Sequence, residues 1–394
     1  MTPCLKRFLI LAACVAHFDV LGCRFNVRDV GFVDLGSEPY RLYMYVGNAM
    51  PASEREALQS ISTATFYDSN VKPQLMTFDQ AGQGEAKAYV PDNFNGEPPV
   101  AVLVSPDKKT TLPVPLAKSG ASVLQTAWDV LESMLDSPKR NAILERVFDC
   151  YGVVLIIEGR DAVANREVRS MADHAVSETT AKLPGLEKEI QQPPTVEIIT
   201  TEEMEAERAF LWSLGKSEVK DEPRVVIMYG RGRMIGPVLD GERLNRESIS
   251  AILDTIGLNC ECGLDRKWMQ GVMVPLKWDR ERKQKVVKQL GFNPESPEIR
   301  IEMSQILAKS GPGQGLHRSK IIGDTLDELL TGYRAKNLAA KNTSETAEEP
   351  FAESLETNNP PQEGFKILSW VSMGGITILI VGGLIVLLAR RKGL

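Results

Sequence analysis

Glu97-Pro98-Pro99-Val100-Ala101-Val102-Leu103-Val104 and, 125 residues further on, Glu222-Pro223-Arg224-Val225-Val226-Ile227-Met228-Tyr229 share one pattern. In each, a proline leads into an unbroken, β-branched apolar run, which reads as a strand buried on both faces. Each run passes through a polar turn, Ser105 to Lys109 or Gly230 to Arg233, into a second short apolar stretch, Leu112 to Leu116 or Ile235 to Leu239. That is a hairpin in both places. An amphipathic helix follows each hairpin: Ser122 to Leu135 aligns Val123, Ala127, Val130, Leu131 and Met134, and Ser248 to Ile256 aligns Ile249, Ile252, Leu253 and Ile256.

Working outward, each hairpin is preceded by strand, helix and strand. In the first copy these are Arg41 to Val46, Ser53 to Thr63 and Gln74 to Phe78. In the second they are Val153 to Ile157, Ala162 to Ala175 and Val196 to Thr200, with a further helix from Glu203 to Leu214. Strand, helix, strand, helix or loop, hairpin, closing helix is the element order of the thioredoxin fold. Both copies therefore resemble thioredoxin-like domains, over Asp34 to Asp136 and Tyr151 to Gly257, with Pro98 and Pro223 standing where that family has its cis-proline. The resemblance implies an α/β chain with tandem thioredoxin-like domains at 24–137 and 138–258.

The departure from the family bears on chemistry. A thioredoxin-like oxidoreductase carries Cys-x-x-Cys after its first core strand, where the following helix N-terminus lowers the thiol pKa. Here the first copy has Gly47-Asn48-Ala49-Met50-Pro51 and the second Gly159-Arg160-Asp161-Ala162. Neither can run dithiol chemistry at that place.

The remaining cysteines of interest are Cys150, just before the first strand of the second copy, and Cys260 and Cys262, just after its last helix. In the implied fold the last helix returns to the end where the first core strand begins, so the three sulfurs should gather opposite the proline loop. Three readings stay open: a structural disulfide from Cys150 to Cys260 or Cys262, a reactive Cys-x-Cys pair, and free buried thiols. The first would close a loop of about 110 residues and contribute roughly 2–5 kcal/mol in an oxidising compartment. Zinc fits poorly, because three cysteines without a nearby histidine are an incomplete tetrahedral set.

The ends of the chain speak to compartment. Lys6 and Arg7 precede an apolar run from Phe8 to Ala16, the form of a secretory signal at 1–23. Val20-Leu21-Gly22-Cys23 resembles a bacterial lipobox that would leave Cys23 to carry lipid, and cleavage after Ala16 competes with it. At the other end, 367–389 holds no charged residue and is long enough to cross the roughly 30 Å hydrocarbon layer as a helix. Arg390, Arg391 and Lys392 open the tail at 390–394, which the positive-inside rule places in the cytoplasm. Residues 336–366, rich in Ala, Glu, Thr, Asn and Pro, read as a disordered tether reaching on the order of 30 Å.

Between the second copy and the tether, 259–335 reads as a helical extension. Trp268, Met269, Val272, Met273 and Trp278 are apolar enough to pack on the second domain, a helix from Arg280 to Leu290 ends at Gly291, and another runs from Ser296 to about Lys309. Gly311-Pro312-Gly313-Gln314-Gly315 lacks the Gly-Lys-Ser or Gly-Lys-Thr ending of a phosphate loop and reads as a linker.

Composition narrows the function classes. A net charge of −6 and a pI near 5.5 argue against a general nucleic-acid binder. Three histidines, His17, His174 and His317, leave little material for serine–histidine hydrolysis or a histidine-rich metal site. No catalytic residue set and no cofactor site is legible. The expectation is a single-pass protein of the bacterial cell envelope that holds two domains outside the cytoplasm and takes a protein partner there. The bilayer is its other partner, through the C-terminal helix. The competing expectation is a thiol–disulfide oxidoreductase working through Cys260 and Cys262.

Overall fold

The computed structural model describes residues 25–309, apart from 82–83, 93, 187, 191 and 259–268. Two four-stranded sheets carry the architecture. The first is built from β1 (Tyr40–Val46), β2 (Val71–Thr77), β3 (Val100–Val104) and β4 (Thr111–Pro115) in the order β2-β1-β3-β4. β1 and β2 are parallel, with Tyr40 opposite Val71, while β3 is antiparallel to both β1 and β4, with Met44 opposite Ala101 and Leu103 opposite Leu112. The second repeats that order as β6-β5-β7-β8, from β5 (Val153–Ile157), β6 (Thr195–Ile199), β7 (Arg224–Tyr229) and β8 (Arg233–Leu239). Two sheets of the same order in a mixed α/β chain, followed by a helical C-terminal region, fit two thioredoxin-like domains.

Strand alternation explains how each sheet is covered on both faces. In β1, Leu42, Met44 and Val46 enter one core while Tyr43 and Tyr45 enter the other. In β5, Val154 and Ile156 face one core and Val153, Leu155 and Ile157 the opposite one. The helices α2 (Ala52–Phe66) and α3 (Val123–Ser133) pack together beside the first sheet. In the second domain, α5 (Ala162–Lys182) and α7 (Arg246–Ile256) do the same. Local signals start these helices. Asp161 accepts from the amides of Val163 and Ala164, and Asn245 from that of Ser248, caps worth about 1 kcal/mol each.

The boundary at residue 24 does not describe the packing. Helix α1 (Val27–Phe32) belongs to the second domain, not the first. Phe25, Val27, Val30 and Val33 enter one of that domain's cores and Phe32 the other, all fully buried. The Val27 amide donates to the Leu258 carbonyl at 2.8 Å, and the Arg28 guanidinium donates to the carbonyls of Cys150 and Phe148 at 2.9 and 3.1 Å. The first domain is thus inserted between α1 and the rest of the second.

Two further expectations need correction. The helix expected from Glu203 to Leu214 is shorter, α6 (Arg208–Ser213), preceded by hydrogen-bonded turns from Thr200. The reason is that α6 serves the joint between the domains. Trp212 enters the first domain's core, where its indole nitrogen donates to the Thr111 carbonyl at 3.1 Å. A helix not expected, α4 (Pro138–Asp149), packs into a core of the second domain through Ile143, Leu144, Val147 and Phe148.

The segment after the Cys-x-Cys pair is also not simply a helical region packed on the second domain. From Met273 to Trp278 it is largely an extended strap. Val272 and Val274 hydrogen-bond to Met234 and Gly232 beside β8. On the other side, the Tyr40 hydroxyl donates to the Met273 carbonyl, and Asn70 both donates to Val274 and accepts from Leu276, each at 2.9 Å. The helices α8 (Arg280–Leu290) and α9 (Pro297–Lys309) then return to the second domain. Among the described residues no helix is long and apolar enough to cross a membrane. The expected signal segment with Cys23, the expected tether and the 367–389 run lie outside them.

Candidate functional site

In the first domain β1 ends at Val46, and the loop Gly47 to Pro51 leads into α2. This loop meets the segment before β3, where the Glu97–Pro98 peptide bond is cis. A Cβ on Gly47 would lie 2.6 Å from the Gly96 carbonyl oxygen, so only glycine lets the two backbones approach this closely. Asn48, Ala49, Pro51, Glu97 and Pro98 are exposed around the contact. Beside them Phe78, 40% exposed, stands edge-on to Phe94 at 5.7 Å, and Phe94 leans on Tyr45. The side chains on offer are an amide, a carboxylate and an aromatic edge. None of these is a nucleophile with a base beside it.

The matching place in the second domain is closed. The amides of Arg160 and Asp161 donate to the carbonyls of Lys220 and Asp221 at 3.0 Å, and a Cβ on Gly159 would lie 2.0 Å from the Asp221 oxygen. Asn165 holds Gly159 from both sides, with two 2.9 Å hydrogen bonds. Glu97–Pro98 is the one cis bond among the described residues, so Pro223 does not take the cis form its position implied.

Cys150 lies at the opposite end of the second domain. β5 starts beside it at Val153, whereas Ile157 at the other end pairs with Arg224, next to Pro223. The last helix returns to the Cys150 end: the Tyr151 hydroxyl donates to the Leu253 carbonyl at 2.7 Å, and Leu258 meets Val27. Cys150 is a buried free thiol, with Sγ 3.1 Å from the Gly152 carbonyl. Cys260 and Cys262, the expected partners of a Cys150 disulfide, lie outside the described residues. Burial pushes the Cys150 thiol up, outweighing the Thr195 hydroxyl and the nearby Arg28 charge, which act to lower it. A buried thiol held neutral is a poor nucleophile.

Beside Cys150 is a cleft of about 720 Å³ whose charged lining is largely self-neutralised. Lys188 pairs with Asp29 at 2.6 Å, and Lys285 with Glu145 and Asp149 at 3.0 and 2.8 Å. No group of three or more His, Cys, Asp or Glu among the described residues could hold a metal ion. The residues that join the domains, Arg140, Ser137, Glu207, Asn70 and Trp212, escaped the sequence reading. Asn70, Trp212 and the Ser137–Glu207 pair have partners distant along the chain, and no local periodicity marks them.

No protein-family model and no curated protein matches this chain. Among solved structures it is similar to the zinc-bound form of human ERp44, at 12% identity and a TM-score of 0.19, covering 84% of this chain and 96% of that one. So loose a likeness carries no argument here, and the fold assignment rests on strand order.

Proposed function

We propose that this chain is a membrane-anchored, extracytoplasmic interaction scaffold of the bacterial cell envelope, built on two thioredoxin-like domains that have no dithiol chemistry at the family's usual position. The observation that carries this reading is the pair of loops after β1 and β5. One presents Asn48 and Ala49 beside an exposed proline segment, and the other has its backbone amides already bonded within the domain. Burial of Cys150 at the far end of the second domain supports the same reading. The exposed face at Gly47–Pro51, Phe78 and Glu97–Pro98 is where we place the protein partner. Anchoring rests on the apolar run at 367–389, and export on the segment before Cys23.

The test is the reduction of insulin disulfides by the full-length protein. Turnover should not exceed that of a matched concentration of free thiol. Turnover well above it that disappears in Cys262→Ser would replace the scaffold by an oxidoreductase acting through Cys260 and Cys262.

A further inference from the structure

A cleft of about 510 Å³ opens between the two domains, at the end of β1 opposite the Gly47–Pro51 loop. Three stretches distant along the chain build it: the start of β1 with the turn between β3 and β4, the end of α6, and the residues from Gln270 to Met273 that enter the strap. Its wall is apolar. Trp212 and Met273 line it, each largely buried, beside Val272, which is 41% exposed. The polar groups behind that wall are already bonded. The Tyr40 hydroxyl and the Trp212 indole nitrogen donate to backbone carbonyls, and Asn70 both donates to and accepts from the strap.

The charges around the cleft are not all matched. Arg233 lines it but is only 1% exposed, and its guanidinium donates to the Gly271 carbonyl and to Ser37 Oγ and lies 3.6 Å from Asp34, so its charge is met inside the protein. Glu38 and Asp107, both exposed on the rim, have no such partner. Among the described residues the Glu38 side chain makes neither a hydrogen bond nor an ion pair. Asp107 uses only Oδ1, which accepts from the Ser105 hydroxyl at 2.6 Å and the Lys109 amide at 3.2 Å. Neither lysine of that turn lines the cleft, and Lys108 pairs with Glu85 at 2.9 Å.

An apolar wall leading to unmatched carboxylates fits one class of side chain, a hydrocarbon stem with a cation at its end. The stem leaves water against the wall while the head stays within reach of the acids. We propose that this cleft is a second contact for a protein partner and takes a lysine or arginine side chain from a basic segment of it. The site is independent of the face at Gly47–Pro51. The seven residues of β1, at about 3.3 Å each, put the two roughly 20 Å apart.

The probes are the acetylated and amidated peptide Gly-Lys-Gly and its counterparts with norleucine or glutamate at the centre. Each is titrated into the full-length protein in detergent, with isotope-labelled methionine methyl groups, and the Met273 methyl signal reads the cleft. That signal should shift saturably with the lysine peptide, about threefold or more weakly with the norleucine peptide, and not with the glutamate peptide. Glu38→Gln together with Asp107→Asn removes the charge and keeps the shape. It should weaken lysine binding by about three- to tenfold and leave norleucine binding unchanged, with the other methionine signals in place. If Asp107→Asn disturbs those signals, Glu38→Gln alone decides by the same comparison. Equal affinity for lysine and norleucine would overturn the proposal, as would a preference for glutamate, which would make Arg233 the selecting group. A Met273 signal that does not saturate with the lysine peptide, or lysine binding that survives loss of the carboxylates, would overturn it as well.

Discussion

Arg140 is fully buried, and its charge is balanced through a serine. Its guanidinium donates to Ser137 Oγ at 3.0 Å and to the carbonyls of Ser133 and Met134, closing off the end of α3. Ser137 in turn donates to Glu207 at 2.5 Å, and the same carboxylate accepts from the Lys139 amide at 2.9 Å. Burial pushes Arg140 down to about 10, against the opposing pull of Glu207, so the group remains charged at neutral pH. Removing one member of such a set leaves the other buried and uncompensated, which costs more than the pair contributes. Glu207→Ala should therefore destabilise the protein by about 3–5 kcal/mol, with Glu207→Gln milder because it retains an acceptor. Urea unfolding at pH 7 measures both. A loss within about 0.5 kcal/mol for Glu207→Ala would mean water satisfies Arg140 instead.

At the scale of elements, α1 is held by a backbone-to-backbone approach that tolerates no side chain. Gly230, at φ +58°, brings its Cα against Gly31, and an added Cβ would lie 2.3 Å from the Gly31 carbonyl carbon. The Arg231 amide then donates to the Gly31 carbonyl at 3.0 Å, and the Gln270 amide group donates to the Val30 carbonyl at 2.8 Å. Gly230→Ala combines a left-handed backbone with that collision, for a loss of about 3 kcal/mol or more. Because α1 lies at the front of the described chain, the damage should appear there first. Limited proteolysis should cut within 25–33 in the variant and not in the wild type. If stability falls but that segment stays resistant, α1 is secured mainly by its buried apolar side chains, each worth about 1.5–3 kcal/mol.

At the scale of the whole folded region, the two domains are tied by more than a linker. Trp212 from the second domain completes the first domain's core, packing near Tyr40 at 6.0 Å between ring centres. The strap from Met273 to Trp278 bonds to both domains, and the Arg140 network spans the joint. Calorimetry should accordingly show residues 25–309 unfolding in one transition, with calorimetric and van't Hoff enthalpies agreeing. Trp212→Ala removes the anchor from one core only, and should split the transition or lower the first domain's share by several degrees. Two well-separated transitions in the wild type would contradict this coupling.

The sequence by itself determined the internal repeat, the strands Val100–Val104 and Arg224–Tyr229, their hairpins and closing helices, and the lack of a dithiol after β1 and β5. These follow from side-chain period and from residue identity at one place, both local quantities. Only the tertiary structure decided that Phe25–Val33 completes the second domain, that Met273–Trp278 is a strap between domains, and that Glu207 faces Ser137. It likewise decided that Pro223 is not cis and that Cys150 is a free, buried thiol. The physical reason is range. An apolar run announces that it will be buried but not against what, and α1 is as apolar as a first-domain element would be. A buried charge such as Arg140 looks like any surface arginine until Ser137, which it bonds, is seen bonded in turn to Glu207, 70 residues beyond that serine.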